Sequence, residues 1–534
     1  MDHWDYIVVG AGSAGSAIAG RLAEAGRRVL LVEAGPKRRF PWTTIPIGYG
    51  KTYTDPRVNW MFTSLPIPGM GGRVNYVPRG KVLGGSSSIN AMVYSRGQPA
   101  DYAAWEAAGN PGWGWEAVLD CYREMEDHDL GAGPAHGAGG PLHVTQLTEA
   151  EAHPLTRTFV AAAQEMGLAF TPDLNGESIE GAGYYQTTIR RGRRESAATA
   201  FLRSSPNLRI LTGRQVTRLL VEDGRVTGIA TEGPGGAKDF RAGREVILSA
   251  GAIGSPALLQ LSGIGPAALL RRLGIAVTLD SPQVGRNLQD HLCYDHVYRT
   301  VRPSLNQDLG SLTGKIRVGL RYLLEGKGPL AMSLNQGGGY FRADPESNVP
   351  DMQLYFSPLS YERAVPGKRA LMRPDPFPGV CMSISPTKAH STGHVELAAP
   401  DWRAAPAIQP NFLDDPRDVA AMVAGARYLR ALSRTPSLGA VIEAELKPGP
   451  DCDDDAAFEA DVRARAYSVF HPCGTCRMGP DPSAAVVGPD LRLHGLAGLR
   501  VADASIFPEI PSGNINAPSM MVGRMAANLI LAQP

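Results

Sequence analysis

The sequence predicts an α/β fold in which a parallel sheet begins at the N-terminus. Three observations predict it. Tyr6-Ile-Val-Val9 is a short β-branched apolar run of the kind buried on both faces in a parallel sheet. Glycines at 10, 12 and 15 follow it directly and open Ser16 to Ala25, a stretch of helical composition. Val29-Leu-Leu-Val32 then supplies a second strand, with Gly26 ending the helix between the two.

Each part of this βαβ unit has a chemical reason. Gly10 permits the tight strand-to-helix turn, Gly12 lets the backbone approach a pyrophosphate, and Gly15 allows close helix packing. Ser13 and Ala14 lie where the helix N-terminus points its free N–H groups at phosphates. Glu33, with Ala34 beside it, ends the second strand, where a carboxylate accepts hydrogen bonds from ribose hydroxyls. The plain alternative is a Gly-rich turn in an ordinary α/β unit. Glycines alone do not separate FAD from NAD.

Residues 40–85 are rich in Pro, Gly and aromatic side chains and read as a long loop of functional importance. A β-rich block follows at Asn207–Leu211, Gln215–Val221 and Arg225–Ala230, with Asp223-Gly224 at a hairpin turn. Glu245–Ser249 reads as another buried strand running into Ala250-Gly251. The region 295–465 mixes strands (Met352–Phe356, His394–Leu397) with helices such as Asp418–Ser433 and faces the substrate. A last strand, Leu499–Asp503, and a helix from Pro518 to Leu531 complete the chain.

Composition excludes several classes of function. A length of 534 residues suggests about two to four domains. The 53 Lys and Arg against 52 Asp and Glu leave no surplus of cations for nucleic acid. Six cysteines are too few for a disulfide scaffold. The longest apolar stretch, Ile7–Gly20, is interrupted by Gly and Ser and too short to span a bilayer. With no leader pattern, a cytoplasmic location is expected, with peripheral membrane association left open.

Two further segments decide the cofactor. Gly80-Lys-Val-Leu-Gly-Gly-Ser-Ser-Ser-Ile-Asn90 and Gly251-Ala-Ile-Gly-Ser-Pro-Ala-Leu-Leu-Gln-Leu-Ser-Gly-Ile-Gly265 resemble the two signature segments of the glucose–methanol–choline oxidoreductases. Gly137–Leu142, Val284–His291, His471–Gly479 and Val501–Ser505 match the same family, so the resemblance covers nearly the whole chain. It implies a Rossmann-like FAD-binding domain built from discontinuous segments (1–155, 156–294 and 466–534) and an α+β substrate-binding domain (295–465) over the flavin face. It also implies flavin contacts at Val82, Gly85, Asn90, Ala91, Met92, Val93, Val216, Ala250, Gly251, Asp503, Ala504 and Ile515. Ile89 stands where some members carry a His bonded covalently to the flavin, so dissociable, non-covalent FAD is expected.

His471 is the catalytic candidate, because it sits in the segment that carries the base in the resembling family. An imidazole with a pKa of about 6.5 suits removal of a hydroxyl proton near neutral pH. The second active-site position maps to Asn514, with Asn516 as its rival, and either could be a turn residue. The helix opening near Pro518 is expected to aim its positive end at the flavin N1 and C2=O edge. Cys473-Gly-Thr-Cys476 reads as a structural thiol pair or a labile disulfide; no second pair accompanies it, and no metal is expected. Ser86, Ser87 and Ser88 lack a nucleophile elbow and are expected to line the flavin phosphates or ring edge. The resulting expectation is oxidation of an alcohol, with oxygen or another electron acceptor. A non-redox lyase or photodecarboxylase on the same fold, and a nicotinamide dehydrogenase, remain as alternatives.

Overall fold

The structure is a computed structural model describing residues 3–37, 40–362 and 373–533. Its N-terminal unit comprises β1 (Trp4–Val9), α1 (Ser13–Glu24) and β2 (Val29–Glu33). Ile7, Val8, Leu30 and Leu31 are fully buried, each contributing about 1.5–3 kcal/mol by leaving water. α1 starts at Ser13, earlier than its composition suggested. Gly10, at φ 97°, completes the turn at once and leaves Gly12 as the N-cap.

Five strands run parallel in the order Leu208–Thr212, β2, β1, the C-terminal half of Lys238–Leu248, and Leu499–Val501. The Lys238–Leu248 strand is longer than the run Glu245–Ser249. Its exposed first half pairs antiparallel with Arg225–Glu232, which pairs in turn with Gln215–Glu222. An apolar run marks only the half that is buried on both faces. Asp223 and Gly224, both at positive φ, make the two-residue hairpin turn.

The C-terminal helix, Asn516–Leu531, lies against α1. A Cβ on Gly523 would meet the Ala14 carbonyl oxygen at 2.4 Å, so glycine permits this close approach. The helix begins before Pro518 because a first-turn N–H has no intrahelical acceptor, so proline is tolerated inside the turn. Asp503, expected as the last residue of a strand, leaves the sheet and caps the turn Ala504–Ile506 by accepting from Ser505 N–H at 2.8 Å.

A second sheet is antiparallel, ordered Ile442–Lys447, Leu292–Thr300, Gly379–Pro386, Met352–Ser357, Gly337–Phe341 and Gly181–Tyr184. Pro416–Ser433 and Pro154–Glu165 pack on it around Phe159, Leu354, Ile384 and Met422. Gly181–Tyr184 and the first three residues of Leu292–Thr300 thus lie in this sheet, although the sequence grouped residues 156–294 with the nucleotide-binding segments. Sequence order misled here because the chain crosses between the sheets more than once.

Candidate active site

A cavity of about 710 Å³ opens between the two sheets, where β1, α1, the residues after Leu248 and the start of the C-terminal helix converge. The long loop forms one wall: Tyr49, Tyr53, Trp60–Thr63 and Pro78–Lys81 face it. Strands of the antiparallel sheet contribute Cys293, Tyr355, Ser357, Cys381 and Ser383.

The glycine positions fit a dinucleotide. Beside Gly12 there is open space, whereas a Cβ on Gly85 would press on the Gly12 Cα at 2.7 Å. A Cβ on Gly10 would meet the Ser249 carbonyl oxygen at 2.5 Å, and one on Gly15 the Gly10 oxygen at 1.9 Å. The N-termini of α1 and the C-terminal helix abut at the cavity, joined by Ser13 Oγ donating to Asn516 Oδ1 at 2.7 Å. Two positive helix ends therefore face one chamber, which suits a pyrophosphate and an anionic ring edge.

Most of the residues named from sequence line this cavity: Gly10, Gly12, Ser13, Ala14, Glu33, Ala34, Gly85, Asn90, Ala91, Met92, Val93, Val216, Ala250, Gly251, Asp503, Ala504 and Ile515, with His471 and Asn514. Two do not. Gly15 packs beneath Gly10, and Val82 is buried against Val58 and Ile89 behind the wall. Glu33 accepts from the N–H groups of Ala11 at 3.0 Å and Gly35 at 2.8 Å. Burial pushes its carboxyl up to about 7, against the pull of those two donors. Asp503 is engaged by Gly251 N–H, Ser255 and Ser505 N–H, which fixes the helix Gly251–Leu261 at the cavity edge. Of the three serines only Ser86 lines the cavity; Ser87 and Ser88 donate to the backbone carbonyls of Gly84 and Leu83.

His471 is buried and held from both sides. Its Nδ1 lies 3.0 Å from Nδ1 of His291, and its Nε2 lies 3.1 Å from the Asn514 amide nitrogen. His291 Nε2 lies 3.1 Å from the Thr387 carbonyl oxygen, which can only accept, so that nitrogen carries the proton. Burial lowers His291 to about 4, leaving the ring neutral and its Nδ1 a bare acceptor. His471 Nδ1–H must then donate to it. The remaining lone pair, on His471 Nε2, accepts from Asn514. Burial, His291 and Arg79 together hold the His471 pKa well below the usual imidazole value.

The backbone around His471 is also fixed. Phe470 sits at φ 70°, a costly conformation for a bulky side chain. Asp290 holds this turn, accepting from His471 N–H at 2.7 Å and Ser468 Oγ at 2.5 Å. Burial raises Asp290 to about 6, opposed by Ser468 and Arg79. Asn514 faces His471, and Gln353 Nε2 approaches its carbonyl oxygen at 3.5 Å. Asn516, the rival position, is occupied with Ser13. Cys473 and Cys476 are free, buried thiols with pKa values pushed upward by burial, which makes them poor nucleophiles.

His291, Asp290, Arg79 and Gln353 were assigned no role from sequence. The first two stand in the matched segment Val284–His291, whose adjacent Asp and His were the available signal. Gln353 carried no signal, since one residue of a buried strand looks like any other.

Two family models, both described as GMC oxidoreductase, match residues 4–293 and 389–523. Alcohol dehydrogenase [acceptor] of Pseudomonas putida is 39% identical over 99% of this chain and 96% of its own length. Mitochondrial choline dehydrogenase of Homo sapiens is 39% identical over 100% and 90%. Among solved structures, pyridoxine 4-oxidase from Mesorbium loti superposes with a TM-score of 0.89 at 32% identity, covering 100% of both chains. A formate oxidase variant from Aspergillus oryzae gives 0.92 at 28% identity, over 100% and 98%. A nucleotide cradle under a buried histidine and a full-length match to alcohol and choline dehydrogenases lead to one conclusion: the chain belongs to the GMC oxidoreductase family and is an FAD-dependent enzyme acting on CH–OH groups.

Proposed function

We propose that the protein oxidises a neutral alcohol to an aldehyde or ketone, with His471 as the base and Asn514 as the donor that orients the oxygen. FAD held in the cavity supplies the hydride acceptor, at its N5. The observation that carries the reading is the hydrogen-bond chain His471–His291–Thr387, which fixes the lone pair of His471 on Nε2, where Asn514 donates to it. An alcohol entering between His471 and Asn514 meets that lone pair as proton acceptor and the amide N–H as donor to its oxygen. The flavin-holding residues are those named above that line the cavity, so Gly15 and Val82 support it from behind. Ile89, a hydrocarbon at the cavity wall, offers no atom for a covalent link, so the FAD is dissociable.

The wall composition favours a neutral substrate over a quaternary ammonium alcohol. Among the described residues, the carboxylates lining the cavity are Glu33 and Asp503, both engaged by backbone donors on the nucleotide side. A cation moved into this chamber would find tyrosines but no charged partner, and burying an unpaired charge is costly. Oxygen or another acceptor then removes the electrons.

The test is an anaerobic titration with aliphatic, aromatic and choline-type alcohols. A neutral alcohol is expected to bleach the flavin band, and His471→Ala should slow bleaching by about 10²–10⁴-fold while flavin stays bound. If no alcohol bleaches the wild-type flavin, the oxidation reading fails and the non-redox alternative takes its place.

A further inference from the structure

The helix Leu312–Glu325 has its apolar face turned outward. Only Gly314 and Val318 are buried against the protein. Leu312, Ile316, Leu320, Leu323 and Leu324 are 75%, 54%, 54%, 79% and 82% exposed. At about 100° per residue these five fall within one arc of about 120°, opposite Gly314 and Val318. A surface helix normally directs such a stripe at the core.

Cations frame the stripe. Lys315 and Arg317 lie at its two borders, and the stretch 301–330 holds five Lys and Arg against two acidic residues. Arg317 pairs with Asp308, and Arg321 with Glu325. Beyond the helix C-cap, Gly326, sits the hairpin carrying exposed Arg191 and Arg193; a Cβ on its Gly192 would meet the Gly326 oxygen at 2.1 Å. Burial of five large apolar side chains next to a basic rim matches a bilayer with anionic headgroups. A second copy docked through the same stripe would set basic rim against basic rim.

We propose that Leu312–Glu325 lies in the interfacial plane of an anionic lipid membrane, its apolar stripe among the acyl chains and Lys315, Arg317, Arg191 and Arg193 at the headgroups. Its 14 residues span about 20 Å and lie on the membrane without crossing it. Among the described residues no helix is long and apolar enough to cross. The preceding turn, Leu305–Gly310, packs Leu305 and Leu309 with Leu334, Tyr49 and Tyr361, and the last three line the cavity. The docked face thus adjoins the cavity wall.

The experiment is co-sedimentation of the flavin-loaded protein with vesicles of phosphatidylcholine, with or without phosphatidylglycerol, at low and high salt. Binding is expected to vesicles containing phosphatidylglycerol and to weaken with salt. Leu323→Glu with Leu324→Glu should lower it by at least about tenfold. Arg191→Ser with Arg193→Ser should remove most of the salt dependence. Both double variants should keep flavin absorbance and turnover with a soluble dye, since neither touches the cavity. Failure of wild-type protein to sediment with the anionic vesicles, or equal sedimentation after the Leu→Glu pair, would overturn the proposal. So would a dimer in solution that the Leu→Glu pair converts to monomer.

Discussion

The proposed role of His471 as base requires its proton on Nδ1, and His291 is the group that places it there. His291→Ala removes the acceptor and frees the ring to present the wrong nitrogen. Turnover with saturating alcohol is expected to fall at least about tenfold with little change in KM, since the proposed substrate position lies against His471 and Asn514 and not His291. The pH dependence follows from the same burial. A depressed pKa keeps His471 neutral through pH 7, so the acid limb of kcat/KM belongs well below pH 6.5. Opening the site in His291→Ala admits solvent and removes one of the neighbours that depress the ring, which moves that limb upward. A wild-type limb at or above 6.5 would refute this account of the base.

At the scale of elements, the nucleotide site depends on backbone approaches that a single methyl group blocks. Gly10→Ala combines φ 97° with a 2.5 Å clash against backbone, where nothing can swing aside. The expected result is protein that purifies with little or no flavin and unfolds at lower temperature, at a cost of roughly 2–4 kcal/mol. Gly26→Ala is the contrast. Gly26 is also left-handed, at φ 80°, but a Cβ there meets nothing within 4 Å. That change should cost about 1 kcal/mol and leave flavin occupancy unchanged. Comparing the absorbance ratio at the flavin band with the thermal midpoint of each variant separates strain from steric exclusion.

For the whole molecule, the cavity is the joint between the sheets. The parallel sheet brings Gly10, Glu33 and Ala250, and the antiparallel sheet brings Tyr355 and Cys381. FAD bound there ties both layers together, so its removal should loosen the whole fold and not one half of it. Acid precipitation is expected to release yellow flavin into the supernatant, as Ile89 implies. Refolded apoprotein should melt below the holoprotein in one transition. A ligand present at about 1,000 times its Kd contributes about 4 kcal/mol. Flavin retained in the pellet would contradict the dissociable cofactor, and two separate melts in the holoprotein would contradict the coupling.

Local pattern alone announced the βαβ unit with its Gly10–Gly15 turn and Glu33, and the Asp223-Gly224 hairpin, because backbone turns and strand burial are written in neighbouring residues; the rest of the expected cavity lining came from the family resemblance. Position in a matched segment pointed to His471 and Asp503, and counting on from Ser505 pointed to Asn514. What only the tertiary structure decided was which residues meet across long separations. His291 acquires its role by standing 3.0 Å from a residue 180 positions away. Gly181–Tyr184 joins the antiparallel sheet through strands far along the chain, and the exposed side of Leu312–Glu325 depends on which neighbours leave it uncovered. Period and composition fix how a segment curls and which face is apolar; what that face meets depends on the packing of every other segment.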